Sequence, residues 1–279
     1  MIPPRRTGTS PLVDQSLLAL GLTVLAGLST GIGSLIGLGS RRFGSEFLTL
    51  ALGFSAGAMV YVSLVEILPK ARLSLEPALG LRLGYGAAVL AFFAGIVLMA
   101  WVDHLLPAHE APVALHGHQP PSDDDLPRRR RLLRMGLFSA LAICIHNVPE
   151  GLATFLGALS NPKLGLSIAV AIAIHNIPEG LAVSAPVFFA TRSRAKAFWV
   201  SFLSGLAEPV GGLAGYFMFR SFPNPLVFGL VFAAVAGVMV YVSLDELLPA
   251  AKDYGEHRVA IASLMAGMFV MAISLVALA

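Results

Sequence analysis

The sequence predicts an all-α polytopic membrane protein of eight transmembrane helices that contains inverted repeats. Three observations support this prediction: 56% of the residues are hydrophobic and only 13% are charged, eight long segments are apolar, and two motifs each occur twice. A soluble globular chain has about 25% charged residues, so this composition cannot cover a water-exposed surface. Disordered and coiled-coil proteins are excluded by the same comparison. Nucleic-acid binding is excluded because the basic residues occur only in short runs between apolar segments.

The eight helices follow from the positions of the charged residues. A helix needs about 20 residues to cross the hydrocarbon core. Five stretches of about this length contain no charge, and three more contain a single glutamate near their middle. Barrel strands are not expected, because these stretches lack ten-residue alternation. We predict helices at 15–39, 47–69, 83–106, 132–159, 164–190, 195–219, 226–249 and 258–278.

The first helix is expected to stay in the mature protein. Arg5 and Arg6 precede it as in a signal peptide. Its apolar run is nevertheless longer than the usual length of about 7–15 residues, no A-x-A site closes it, and seven more helices follow. The loops on one side of the eight helices contain twelve of the Lys and Arg residues and the other side contains seven. The richer side is expected to be cytoplasmic, which places both termini outside.

We predict a single transmembrane domain that spans residues 1–279. Its longest connection, residues 107–131, joins helices three and four on the cytoplasmic side. It combines five prolines with an acidic run and a run of four arginines. Such a segment cannot bury a core, and we expect it to be mobile. Short histidine-rich tracts bind metals weakly, so the loop either retains metal or is ordinary solvated chain. The histidines concerned are His104, His109, His116 and His118.

Two motifs are repeated in inverted orientation. The segment IHNVPEGLA at 145–153 recurs as IHNIPEGLA at 174–182, in helices four and five. The segment at 56–69 recurs at 236–249, in helices two and seven. Each pair joins an even-numbered helix to an odd-numbered one, so the two copies run in opposite directions through the bilayer. This topology is typical of secondary transporters, whose sites lie near the midplane at the repeat interface.

Three glutamates, Glu150, Glu179 and Glu208, fall near the middle of their predicted helices. An ionised carboxylate at this depth costs at least about 2.5–3.5 kcal/mol on insertion scales. No Lys or Arg lies at the same depth. Either the carboxylates are protonated, as in a proton relay, or a cation binds among them.

The neighbouring residues favour a cation. Each repeat places a His four residues and an Asn three residues before its Glu, on one helical face. The proline before each Glu frees a backbone carbonyl oxygen. Imidazoles, amide oxygens and carboxylates suit Zn²⁺, Fe²⁺, Mn²⁺ or Co²⁺, and three carboxylates suit two such ions better than one. The predicted ligands are His146, Asn147, Glu150, His175, Asn176, Glu179 and Glu208.

The two HN[VI]PEG motifs, the GLAEP segment at 205–209 and the histidine-containing loop resemble the ZIP (Zrt/Irt-like) family of divalent metal transporters. The resemblance extends over nearly the whole chain. It implies a multi-pass protein of the bacterial inner membrane that takes up Zn²⁺ and often Fe²⁺, Mn²⁺, Co²⁺ or Cd²⁺. Metal ions and the lipid bilayer are then its partners, with no nucleic acid and no cofactor besides the metal. Glycine-rich helix faces would permit a homodimer.

The resemblance also implies a binuclear site at the midplane. One ion would bind His146, Glu150, His175 and Glu179. The second would bind Asn147, Glu150, Asn176, Glu179 and Glu208. Some family members have Gln-Asp in place of His175-Asn176, and the two neutral asparagines lower the charge of the second site. Met59 matches a position that can add a soft ligand, although apolar packing is the commoner use of a membrane Met.

Acidic residues are also predicted at both ends of the transport route, where they would raise the local cation concentration. Glu66 falls at the outer end of helix two, and Asp103, Asp245 and Glu246 fall at the cytoplasmic mouth. Glu66 and Glu246 occupy equivalent positions of the repeat. Ordinary interfacial carboxylates are the alternative for each of them.

A membrane-embedded di-metal enzyme is the rival function, and a structural metal in a receptor is a third. A catalytic metal needs an open coordination position and a substrate cavity. The sequence shows no nucleophile, general acid or cofactor motif beyond the ligands, and inverted repeats have no special use in hydrolysis. We therefore predict a transporter and no enzyme activity.

Overall fold

A computed structural model of the chain describes residues 11–39, 45–105, 126–222 and 224–278. Within these ranges, eight helical stretches are long and apolar enough to cross a membrane. The described residues contain helices and short turns but no strand. The predicted all-α fold with eight spans is therefore confirmed.

The eight spans are numbered in chain order and contain eleven α-helices within the described residues. Five spans are single helices: α1 (Pro11–Gly39), α4 (Leu81–Leu105), α5 (Leu126–Ser160), α6 (Pro162–Thr191) and α11 (His257–Leu278), which form spans one, three, four, five and eight. The other three spans are interrupted. Span two consists of α2 (Ser45–Val62) and α3 (Leu68–Leu79), span six of α7 (Arg194–Gly205) and α8 (Ala207–Ser221), and span seven of α9 (Pro225–Val242) and α10 (Leu248–Tyr254).

Three helix ends differ from the predicted ones because prolines do not end these helices. Span seven continues to Tyr254 instead of residue 249, with Pro249 in the first turn of α10. Span two continues to Leu79 instead of residue 69, since Pro69 lies in the first turn of α3, where its missing N–H is tolerated. Helix α5 begins at Leu126, inside the segment predicted as a loop to residue 131, with Pro127 again in the first turn. The rest of that loop, from residue 107 to 125, lies outside the described residues.

Spans two and seven contain a π-helical turn at the same position of their repeat, Ser63–Ile67 and Ser243–Leu247. In each turn the N–H of the following leucine donates to the carbonyl of the first serine, five residues earlier. The next residue in both copies is a proline, which cannot donate a backbone hydrogen bond. The repeated sequence therefore folds into the same irregular local structure twice, and π turns of this kind often occur at functional sites.

Reciprocal glycine contacts bring the spans together in matching pairs. In each pair, both helices contribute one glycine at which an added Cβ would overlap a backbone carbonyl group of the partner helix. Small residues of this kind let membrane helices approach closely. The pairs are α1 with α6 through Gly33 and Gly180, α8 with α5 through Gly211 and Gly151, α4 with α9 through Gly95 and Gly237, and α11 with α2 through Gly267 and Gly57.

These contacts extend the inverted repeat beyond the two sequence motifs. Span four corresponds to span five, and span two to span seven, by sequence. Span five packs on span one through a glycine pair, and span four packs on span six in the same way. Because spans four and five correspond, their partners, spans six and one, correspond as well. The same comparison relates span three to span eight.

The spans form two four-span groups. The first group contains spans one, four, five and six, which pack extensively on one another, and the second group contains spans two, three, seven and eight. Contacts of α2 with α6 and of α5 with α9 join the groups. The seven predicted His, Asn and Glu ligands therefore all belong to the first group, and Met59 belongs to the second group, which packs against it.

Replacing Gly237 by alanine should destabilise the protein, because the new Cβ would overlap the carbonyl of Phe92 in α4. We expect a loss of about 1–3 kcal/mol, seen as a lower unfolding midpoint in thermal scans of the purified protein in detergent. The matched control is Gly21→Ala, since no atom lies within 4 Å of a Cβ at that position. Equal midpoints for the two variants would contradict the packing role.

Candidate metal centre

The seven predicted ligands all lie in the interior of the first group. Helices α5 and α6 each contribute the His, Asn and Glu of their repeat, and α8 contributes the third glutamate. Each side chain is at most 1% exposed: His146, Asn147, Glu150, His175, Asn176, Glu179 and Glu208.

The two repeats contact each other crosswise. The Nε2 atom of His146 lies 3.4 Å from Oε2 of Glu179, and Nε2 of His175 lies 3.2 Å from Oε1 of Glu150. Each imidazole thus meets the carboxylate of the other helix and not the one four residues along its own helix. Each carboxylate thus has an imidazole of the other helix beside it, in a region where an isolated charge would be costly.

His146, Glu150 and Glu179 form a compact group of donors. One ligand atom from each lies within 4.8 Å of the other two, and no other such group of His, Cys, Asp and Glu occurs among the described residues. Two donors bound to one zinc ion at about 2.0–2.2 Å each can lie up to roughly 4 Å apart. Small side-chain movements would therefore let the three atoms share an ion.

Glu208 reaches the group from an interrupted helix. Span six breaks between α7 and α8, and Glu208 lies in the first turn of α8, where the helix dipole favours a negative charge. The side-chain amide of Asn176 donates to Oε1 of Glu208. We predicted a continuous helix at 195–219, so the break was missed. Its sequence signal is Pro209, which cannot donate to the carbonyl of Gly205.

Every one of the seven side chains retains a buried polar atom that has no hydrogen-bond partner. Buried polar atoms in proteins are almost always hydrogen-bonded, so seven exceptions in one place need an explanation. They are oxygen and nitrogen atoms of types that ligate metals. The atoms are His146 Nδ1, Asn147 Oδ1, Glu150 Oε2, His175 Nδ1, Asn176 Oδ1, Glu179 Oε1 and Glu208 Oε2.

Serine hydroxyls support the backbone around the centre. Ser34 from α1 and Ser201 from α7 both donate to the carbonyl of Gly180, each at 3.1 Å. Ser55 from α2 donates to the carbonyl of His175 at 3.3 Å, which links the second group to the centre. The sequence analysis did not identify these serines, because single serines in apolar helices carry no recognisable pattern.

The asparagine amides are also held by backbone oxygens. Asn147 Nδ2 donates to the carbonyl of Ser204 at 3.2 Å, and Asn176 Nδ2 donates to that of Ala26 at 3.1 Å. With the amide nitrogens turned towards the backbone, the side-chain oxygens are the atoms left for a ligand. The two asparagines are therefore oriented as oxygen donors.

The acidic residues predicted for the route have different neighbours. Glu246, in the π turn of span seven, interacts electrostatically with His146. Asp103 Oδ2 lies 3.4 Å from the hydroxyl of Tyr241, which also interacts with Asp245. Glu66 is half-buried in the π turn of span two.

The remaining predicted residues differ in their surroundings. Met59 is fully buried in the apolar core one turn after Ser55. His104 is exposed at the end of α4. His109, His116 and His118 lie outside the described residues.

The sequence matches a family model described as ZIP Zinc transporter over residues 101–275. It is 62% identical to a protein named Zinc transporter ZupT from Chlorobium chlorochromatii (strain CaD3), over 95% of this chain and 98% of that protein. It is 54% identical to the Zinc transporter ZupT of Lysinibacillus sphaericus (strain C3-41), with 94% and 98% covered. The corresponding protein of Streptococcus mutans is 52% identical, with 91% and 95% covered.

Proposed function

The chain belongs to the ZIP family of zinc transporters, and on this premise we propose that it carries Zn²⁺ through the centre formed by spans four, five and six. Members of this family are transporters and not enzymes. The observation that carries the proposal is the set of seven buried donor atoms without partners, all on residues predicted to be ligands. The relatives named as zinc transporters cover almost the full length of the chain.

We propose that the centre binds two ions. His146, Glu150 and Glu179 offer donors for the first ion, and His175 adjoins them through Glu150. The oxygens of Asn147, Asn176 and Glu208 offer donors for the second, with Glu150 or Glu179 as the bridge. The imidazoles favour zinc at the first position, and the oxygen donors of the second also suit Fe²⁺, Mn²⁺, Co²⁺ or Cd²⁺. Met59 would add a soft ligand from the second group.

Movement of one four-span group against the other would expose the centre alternately to the two sides. All seven ligands belong to the first group, so they would move together without losing their mutual geometry. The first group contacts the second less extensively than its own spans contact one another, chiefly through α2 with α6 and α5 with α9. Rigid-body motion of repeat units around a midplane site is a common mechanism of secondary transporters.

The distribution of Lys and Arg favours a protein of the bacterial inner membrane with both termini outside. In this orientation Asp103, Asp245 and Glu246 lie on the cytoplasmic side and Glu66 on the outer side. Labelling of a cysteine added after Ala279, in intact cells with a membrane-impermeant maleimide and in a variant with Cys144 replaced by alanine, would test this orientation. Labelling only after lysis would contradict it.

Removing the two central carboxylates should abolish transport. We expect the double variant Glu150→Ala with Glu179→Ala, reconstituted in proteoliposomes, to take up Zn²⁺ no faster than protein-free vesicles, because both central carboxylate ligands are lost. Glu46→Ala is the matched control, since Glu46 is an exposed carboxylate at the start of α2. If the double variant transports zinc as the control does, the site is wrong. If wild type binds zinc but never moves it, a structural metal replaces the transport proposal.

Glu208→Gln should remove one ion and leave the other. The amide keeps the size of the side chain but loses the charge that a second divalent ion requires. Equilibrium dialysis followed by metal analysis should give about two zinc ions per chain for wild type and Glu46→Gln, and about one for Glu208→Gln. One ion in all three proteins would contradict the binuclear centre.

Glu246→Gln should slow transport without weakening zinc binding. Its carboxylate interacts electrostatically with His146 and lies on the proposed exit path, and the loss of one attracting charge there should lower the initial rate of uptake about tenfold. Asp253→Asn is the control, because Asp253 is an exposed carboxylate two turns further along the same span. Unchanged rates, or an equal loss in the control, would exclude Glu246 from the route.

A further inference from the structure

A cavity of about 480 Å³ lies between the two four-span groups near the turn that joins α5 and α6. This volume falls in the range of roughly 300–1,000 Å³ that is typical of small-molecule sites. The first group lines it with Leu159, Leu164 and Phe219, and the second with Leu73 and Phe228. The walls are therefore mainly apolar, and the centre described above does not contribute to them.

The polar residues of this cleft include one available positive charge. Lys70 lines it together with Ser74, Ser160 and Asn224. The hydroxyl of Ser74 already donates to the carbonyl of Pro225, at 3.1 Å. Lys70 is exposed and forms no ion pair with any described residue, although Glu66 lies four positions earlier in the chain. Its ammonium group is therefore free to bind an anion at the cleft.

The cleft also opens on a surface that lipid would cover. Leu73 and Phe222, which both line it, are 60% and 63% exposed. In a protein that spans a membrane, exposed apolar side chains of this kind face acyl chains or the headgroup boundary. A metal ion is not an expected occupant, because apolar walls offer few donors and the ammonium group repels cations.

We propose that this cleft binds an anionic phospholipid, with an acyl chain between the two groups and the phosphate on Lys70. Lysine side chains near a bilayer surface attract anionic lipids, and their long stems reach the headgroup level. Both four-span groups line the cleft, so the bound lipid touches both. If the groups move against each other as proposed above, this contact changes with the movement.

Native mass spectrometry of the purified protein tests the proposal without any transport assay. The probe is an equimolar mixture of phosphatidylglycerol and phosphatidylcholine with identical acyl chains. Wild type should retain the anionic lipid about fivefold more than the zwitterionic one, as expected for one lysine at the headgroup. Lys70→Ala should abolish this preference and Lys70→Arg should keep it.

Two further variants distinguish lipid binding in the cleft from a general attraction of anionic lipids to basic side chains. Lys163→Ala is the matched control: Lys163 is exposed on the neighbouring turn but does not line the cleft, and the preference should persist. Leu159→Trp should lower retention of both lipids by filling the cavity, and a thermal scan would show that it is folded. Excess glycerol phosphate should not displace the lipid, which identifies the acyl chain as part of the ligand.

The proposal is overturned if Lys70→Ala keeps the preference, or if Lys163→Ala loses it equally, because the attraction would then be a general surface effect. Displacement of the lipid by Zn²⁺ in a protein with Glu150→Ala and Glu179→Ala would also overturn it, since the cleft would then be a cation vestibule. None of these results depends on zinc transport, so failure here leaves the proposed function untouched.

Discussion

The burial of three carboxylates in the middle of a membrane-spanning bundle is the constraint on which the rest of the structure depends. No Lys or Arg lies near the middle of these spans in the sequence. In the described part of the chain, the imidazoles of His146 and His175 contact two of the three carboxylates. The helices must therefore pack closely enough for imidazoles, amides and carboxylates to surround a common space. Gly151 meets this need directly, because a side chain there would overlap the backbone at Glu208. The unpartnered donor atoms that remain are those that a cation would satisfy.

The inverted repeat explains why the centre is nearly symmetric, and one residue breaks the symmetry. Gly180 packs on the carbonyl of Thr30 in span one as Gly151 packs on that of Glu208 in span six. Thr30 is therefore the counterpart of Glu208, and its hydroxyl oxygen is also buried without a partner. A neutral threonine stands on one side and a carboxylate on the other. The donor set is consequently richer in charge towards span six, where the second ion is proposed to bind.

Two acidic residues, Glu208 and Glu246, lie at irregular points of their helices. The π turn in span seven contains Glu246 and is followed by Pro249. The break in span six is followed by Glu208 and Pro209. In both spans a glutamate therefore lies where the helix is locally distorted. Glu246 thereby comes within electrostatic reach of His146. The division into two groups has a second consequence, since it leaves between them an apolar cleft with Lys70 that none of the ligands lines.

The sequence by itself determined the number of spans, the inverted repeats and the identity of the buried polar residues. These depend on composition and on local spacing, since residues four apart share a helical face whatever the rest of the fold does. Only the tertiary structure decided that His146 meets Glu179 and His175 meets Glu150, that span six is broken beside Glu208, and that span two continues to Leu79. The glycine contacts between helices and the cleft at Lys70 are likewise visible only in the tertiary structure. Such features arise from contacts between residues distant in the chain, and helical periodicity contains no information about which helix lies next to which.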